Sequence, residues 1–460
     1  MRTGRVCLIA AFALCAALMA APADKDVSGL QARVPPEWVR DGVIYEINTR
    51  TFSPAGNFAG ITAKLDQLKK TGVTILWLMP VHPSGVLKHK GTYGSPYSVR
   101  DYYAIDPAFG TLDDLKTLVR EAHARGLRVI IDIVPNHTAW DSVMMAHPDF
   151  YKHDAQGRII PPIPDWNDVA ALNYANPQLR EYMTAMMEHW LKDYDLDGFR
   201  CDAAGMVPTD YWEQMRPRME AAKKDVLMLD EWASPELLVK AFDIDYAWPF
   251  HNALTEVLQA GKPASAIRQV WEEQKAKFPR GALHMIFSDN HDEKRAIARF
   301  GEKGTLAASA LVFALEGVPM LYNGMEVGDT TESGGPALFE NLRVFWPIVE
   351  RRPEFPKTYE ALTRMRREHV ALRRGELTWV GNSDETRVVS FVRKGAGEEI
   401  AFAVNLSSRP FKGTLDLYSR GAIDRQGNVA VQDRRWTQLD AWGWAWIPIR
   451  TQTGSPIRWK

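Results

Sequence analysis

Cysteine is scarce: the 460 residues contain 3, namely Cys7, Cys15 and Cys201. The first two fall in an N-terminal segment read below as a removable leader, so Cys201 is expected to stand alone in the mature chain. An intramolecular disulfide is then excluded, and stability has to come from a buried core. A charge bias is missing too. With 56 Lys and Arg against 57 Asp and Glu the net charge is -1, which offers no electrostatic footprint for nucleic acid or anionic lipid. There is no internal repeat and no low-complexity linker, and beyond the N-terminus no apolar run is long enough to cross a bilayer. No nucleic-acid partner and no membrane span are therefore expected.

What is present is ordinary in bulk, with 46% hydrophobic and 25% charged residues, the profile of a globular chain able to bury a sizeable core. Length alone suggests two or three domains, although an α/β barrel absorbs much of it as one unit. Tryptophan is abundant, at 16. Indole faces suit sugar rings, but large cores also consume Trp. At the N-terminus Arg2 and Arg5 precede an apolar run from Val6 to Ala21, then Ala21-Pro22-Ala23 and the charged Asp24, Lys25 and Asp26. A basic start, a short apolar stretch and a small-residue end predict a secretory signal over 1–23, hence an exported protein, periplasmic or extracellular.

From Val43 onward, short β-branched runs alternate with amphipathic stretches. Strands are predicted at Val43 to Ile47, Thr74 to Met79, Val129 to Val134, Gly198 to Asp202, Val226 to Asp230, Phe242 to Tyr246, Leu283 to Phe287 and Val318 to Tyr322. Helices are predicted at Ile61 to Lys70, Leu112 to Arg125, Pro177 to Tyr194, Ala264 to Lys277 and Thr305 to Glu316. Val129-Ile130-Ile131 is apolar on both faces, the mark of a covered parallel sheet. The βα count approaches eight, which predicts an α/β fold, a (β/α)8 barrel over 36–375. One connection breaks the rhythm. About forty residues separate Val134 from the helix at Pro177, and loops that long are usually functional. They are read as a short inserted loop domain over 138–176. Past a last helical stretch near Phe355 to Arg374, β segments at Val388 to Val392, Ile400 to Val404 and Trp444 to Ile447 predict an antiparallel β-sandwich domain over 376–460.

Active sites of parallel barrels collect at the C-terminal ends of the strands. Those ends carry Asp132-Ile133-Val134-Pro135-Asn136-His137, then Arg200-Cys201-Asp202, Asp230-Glu231-Trp232, and Asp289-Asn290-His291-Asp292. Three carboxylates, Asp202, Glu231 and Asp292, converge on one mouth. Glycoside hydrolysis needs one carboxylic acid to protonate the leaving oxygen and one carboxylate to meet the developing cation. Arg200 sits two residues before Asp202, so in a strand both point to one face. A fixed cation there would keep Asp202 ionised. Glu231, flanked by Trp232 after an apolar strand, could have the raised pKa of an acid catalyst. A lone strand-end Asp is more often a helix cap, and a lone His more often structural. The argument rests on several such strings occurring in one order.

Those four strings resemble the four short signature regions of glycoside hydrolase family 13, the α-amylase family, in the family's order. Tyr45-Glu46-Ile47, Gly94-Ser95-Pro96-Tyr97 with Asp101-Tyr102-Tyr103, Phe109-Gly110-Thr111, and Gly317 to Gly324 resemble its first and last barrel units. The likeness covers about Val43 to Arg374. It implies a retaining α-glycosidase acting on α-1,4-glucans such as starch and maltodextrin, with Asp202 as nucleophile, Glu231 as acid/base and Asp292 holding sugar hydroxyls. It further implies that His137 and His291 bond the reacting sugar, that Tyr97 stacks on it, and that Arg200 sets the nucleophile's state. Asp132 and Asn136 match positions that are mainly structural.

The chemistry requires no cofactor. Many α-amylases bind calcium between the equivalent of Asn136 and the loop after the third strand. Here Asp165, Asn167 and Asp168 are the clustered oxygen ligands, with Asn136 and Asp165 the candidates, and a turn reading of Asp165-Trp166-Asn167-Asp168 is equally good. Cys201, where an aliphatic residue is common, reads as a small buried hydrophobe. The Gly-rich opening of Thr330 to Pro347 departs from the family's charge pattern and leaves chain-length and linkage preference open. A glucanotransferase or isomerase would share the same intermediate. A sugar-binding homologue that has lost catalysis typically lacks one of the acids, and all three are here. A metal-dependent hydrolase lacks support, since no helical H-x-x-x-H pair is present. Oligomeric state is not encoded in these motifs.

Overall fold

The computed structural model describes residues 25–418 and 432–450; the expected leader lies outside the described residues. Eight parallel strands close into a barrel in chain order: β1 (Ile44–Ile47), β2 (Ile75–Leu78), β3 (Arg128–Ile133), β4 (Gly198–Cys201), β5 (Leu227–Asp230), β6 (Ile244–Tyr246), β7 (His284–Ile286) and β8 (Val318–Tyr322). β8 returns to β1 through the pairing of Ile44 with Met320, so the ring has no free edge. The strands are short and almost wholly buried, as expected when apolar runs have side chains inside the barrel and helices outside it. Trp77, Trp190 and Trp212 are among the largest fully buried side chains, so part of the tryptophan count serves the core.

Local chemistry explains the element ends. Thr111 and Asp114 form a capping box on the helix Leu112–Ala124. Gly198 enters β4 at φ 153°, and a Cβ there would lie 2.1 Å from the Leu227 carbonyl oxygen, so β4 and β5 approach this closely because the residue is glycine. The helix predicted from Ile61 is two: Phe58–Thr62, started by the Asn57 cap, and Leu65–Thr71, which begins after Lys64 leaves helical geometry at φ -106° and ψ 3°. Thr209–Ala222 and Trp248–Ala260 are helices that the periodicity missed; the first carries Pro217 internally.

The long connection after β3 contains one short ladder, His137–Ala139 against Val169–Ala171. Beyond the barrel, β9 (Glu376–Trp379), β10 (Val388–Gly395), β11 (Glu398–Asn405) and β14 (Trp444–Arg450) form one antiparallel sheet. β12 (Phe411–Tyr418) and β13 (Gln432–Leu439) form a second. Val388, Ala401, Ala403, Phe411, Leu415 and Leu439 pack between them. Arg393 of β10 fastens this sandwich to the barrel. Its guanidinium donates to the carbonyls of Ala314 (2.8 Å) and Leu315 (2.6 Å), the negative end of the helix Ala296–Ala314.

Candidate active site

The site is organised by one buried cation. Arg200, on β4, is fully buried at the C-terminal mouth of the barrel. Its Nη1 donates to Asp132 Oδ1 (2.9 Å) and Oδ2 (3.0 Å) at the end of β3, and to Asp202 Oδ1 (2.9 Å). Nη2 lies 3.1 Å from Glu231 Oε1, beyond β5. Nε donates to the Tyr246 hydroxyl at 3.1 Å. The rings of Trp77 and Tyr97 each stand 5.3 Å from the guanidinium carbon. A planar fork suits this arrangement, since each nitrogen faces a different partner.

The backbone aims the two carboxylates. Asp202 N–H continues the ladder to Ile133 O (2.8 Å), and Glu231 N–H continues it to Cys201 O (3.0 Å). Ala203 then takes a left-handed φ of 45°. An alanine there carries strain, and its N–H donates to Glu231 Oε2 at 2.7 Å. The same turn that ends β4 behind Asp202 thus fixes the orientation of Glu231.

A second cluster lies across the mouth. His291 follows β7 and bonds Glu46 Oε1 of β1 through Nδ1 (2.5 Å). Its Nε2 lies 2.8 Å from the Tyr97 hydroxyl and 3.2 Å from Asp292 Oδ2. Tyr97 donates to Asp132 Oδ2 (3.0 Å) and stacks on His291, centroid to centroid 5.1 Å. Asp202, Glu231, Asp292, Tyr97, Arg200 and His291 are therefore brought together in one connected network. His137 sits at its rim, buried, its ring against Trp166. Burial lowers the basicity of that imidazole, while the charges of Asp202 and Asp168 work against the shift.

Arg200 and His291 are the two cations that face the carboxyl groups of Glu46, Asp132, Asp202, Glu231 and Asp292. Burial pushes Glu231 up to about 8, with Arg200 opposing and Asp202 and Asp292 adding to the rise. Burial also lifts Asp132 to about 7 against the pull of Arg200. For His291 burial disfavours the charged ring, but Asp292 and Glu46 outweigh it and the imidazole rises to about 9. Glu231 therefore holds a proton at neutral pH, and His291 is a cation.

Residues 25–155 and 164–368 match the sequence profile of the α-amylase catalytic domain. The chain belongs to the α-amylase family, glycoside hydrolase family 13. An α-amylase of Haloarcula japonica is 30% identical over 326 residues, covering 65% of this chain and 47% of that protein. This chain thus spans about half the length of that relative. A cyclomaltodextrinase of a Bacillus species is 27% identical over 420 residues, 81% of this chain and 74% of the relative. Among solved structures, a noncanonic maltogenic α-amylase from Thermotoga neapolitana superposes with a TM-score of 0.78 at 30% identity, covering 90% of this chain and 97% of that one.

This α-amylase-family chain does not arrange its calcium candidates as a cage. The Asn136 side-chain amide lies 3.3 Å from His137 Nδ1. Lys90 Nζ takes up Asp168 Oδ1 at 2.7 Å and the Asp165 carbonyl at 3.1 Å. A lysine ammonium thus occupies one Asp168 carboxylate oxygen and the Asp165 main-chain carbonyl. Among the described residues no group of three or more His, Cys, Asp or Glu side chains is placed to hold a metal.

Three members of the network were not anticipated as site residues: Glu46, Trp77 and Tyr246. Each lies inside a barrel strand or at its end and reads in the sequence as part of an apolar run. For Glu46 there was a signal, a carboxylate inside the otherwise apolar Ile44–Ile47, and such a group is rarely buried without a partner. Asp132, read as mainly structural, touches both Arg200 and Tyr97.

Proposed function

We propose that this glycoside hydrolase cleaves α-1,4-glucosidic bonds of starch, maltodextrin or related α-glucans with retention of configuration. The observation that carries this reading is that Asp202 and Glu231 face the two terminal nitrogens of one guanidinium. Carboxyls held on one fork fit the narrow separation of a retaining pair, roughly 5 Å, and leave little room for the water an inverting pair admits. The names of the relatives, an amylase, a cyclomaltodextrinase and a maltogenic amylase, support an α-glucan substrate.

In the first step Asp202 attacks the anomeric carbon as its bond to the leaving oxygen breaks, and the Glu231 proton passes to that oxygen. In the second, Glu231 takes a proton from water, the water oxygen bonds the same carbon, and Asp202 is released. Asp292 bonds the sugar hydroxyls, and Tyr97 packs against the ring of the sugar held at Asp202. Analysis of the products from maltoheptaose tests the reading: shorter maltooligosaccharides support hydrolysis, whereas products longer than the substrate would make the enzyme a transferase.

Because Glu231 must start protonated and is lifted to about 8, kcat/KM should fall about tenfold per unit above about 8. An alkaline limb near pH 5 would be inconsistent with this assignment. Trp232 follows the acid directly and is 39% exposed. A Cβ at Gly205 would meet its indole at 2.4 Å, so the indole is seated on that glycine. It offers a platform for the leaving sugar. Trp232→Ala should raise KM for maltoheptaose about tenfold, the value of one stacked ring, with kcat moving less; an unchanged KM would remove Trp232 from substrate contact.

A further inference from the structure

The proposed hydrolysis leaves open whether the enzyme cuts in mid-chain or from an end, and the loops around the mouth bear on this. Glu231 projects from the end of β5. In a closed ring of eight strands, β5 is opposite β1, with β2 and β8 beside it. The leaving part of a glucan must pass the acid, so it departs over β5, where Trp232 lies open. The other part, the glycone, must then run toward β1, β2 and β8.

That side is bridged. The segment 85–93, after β2, runs from the inserted region after β3 to the loop after β8. At one end Val86 N–H donates to Asp141 Oδ2 (3.1 Å), the Lys88 ammonium sits 3.6 Å over the Trp140 ring, and Lys90 pairs with Asp168 (2.7 Å). At the other, Thr92 N–H donates to Glu340 Oε1 (3.0 Å) and Tyr93 N–H to the Phe339 carbonyl (3.0 Å). Arg50 lies over the Tyr93 ring at 5.1 Å, stiffening the junction. The loop after β8 also presses on the site. A Cβ at Gly334 would lie 2.6 Å from the Asp292 carbonyl oxygen, and Ser333 Oγ donates to the Glu293 carbonyl at 3.0 Å.

We propose that this bridge closes the glycone end of the cleft, so that the enzyme takes α-glucans by their non-reducing ends and releases short pieces of set length. A polymer cut in mid-chain needs both ends of the cleft open, and hydrogen bonds across one end, from main-chain N–H groups to carboxylates and a carbonyl, deny it that path. The proposal rests on the α-glucan reading above.

The test compares 4-nitrophenyl α-maltoheptaoside with the same compound carrying a 4,6-acetal on its non-reducing glucose. The blocked compound should be hydrolysed at least about 100-fold more slowly, the scale on which a site rejects a group it cannot house. A second variant, Tyr93→Pro with Glu340→Ala, removes both bridging hydrogen bonds. It should narrow that ratio about tenfold or more and lengthen the first products from amylose. Equal rates on both compounds in the native enzyme would overturn the bridge proposal and leave the α-glucan reading standing. No hydrolysis of either would overturn both. If the variant fails to fold, the comparison in the native enzyme decides alone.

Discussion

Asp202→Asn should lower kcat/KM on maltoheptaose by about 10⁴-fold or more, a loss of roughly 5.5 kcal/mol of transition-state stabilisation. The amide has nearly the shape of the carboxylate, and its Oδ1 can still accept from Arg200 Nη1, which lies 2.9 Å away in the native protein. The main-chain bond from residue 202 to Ile133 is untouched. Packing is therefore preserved and the thermal midpoint should move by only a few degrees. What is lost is the anion that bonds the anomeric carbon. Retained activity within about tenfold of native would place the nucleophile elsewhere.

Arg200→Leu should act on stability as well as turnover. The guanidinium is the shared partner of Asp132, Asp202 and Glu231. Breaking a buried ion pair from one side typically costs about 3–5 kcal/mol, because the partner charge is left uncompensated. The penalty should depend on pH, with a definite sign. A buried carboxyl whose folded pKa lies above its unfolded value binds its proton more tightly in the folded state, so stability falls as pH rises between the two. Asp132 is already lifted to about 7 with Arg200 opposing the rise. Without that opposition the variant should be markedly less stable at pH 8 than at pH 5, measured by urea unfolding at both values. Arg200→Lys should not restore activity, since one ammonium cannot serve Asp132, Asp202, Glu231 and the Tyr246 hydroxyl together. Equal destabilisation at both pH values would mean that lost packing, and not charge, dominates.

The barrel was legible because its signal is periodic. Val129-Ile130-Ile131 and Thr74 to Met79 are apolar runs of strand length bounded by helices, and β8 was placed to the residue. The strand-end acids were legible because polar residues there interrupt an apolar pattern, and Arg200 and Asp202 do share a face as their spacing requires. The helix Thr209–Ala222 escaped because Pro217 lies inside it, a residue that argues against a helix interior. β9, β12 and β13 escaped because they carry few β-branched residues and no apolar run, as Glu376-Leu377-Thr378-Trp379 shows. Glu46 and Tyr246 could be assigned to the site only in three dimensions, since their partners His291 and Arg200 lie 245 and 46 residues away. Lys90 illustrates the same limit. Nothing in its neighbours predicts that its ammonium reaches Asp168.

The most direct test is the anomeric form of the first products. Proton NMR of maltoheptaose hydrolysis, recorded within the first minutes and before mutarotation, distinguishes the two stereochemical courses. Two carboxyls held on one guanidinium predict that the new reducing ends appear as the α-anomer and decay toward equilibrium. Initial release of the β-anomer would mean inversion, and Asp202 could not then be the residue that forms the glycosyl-enzyme bond.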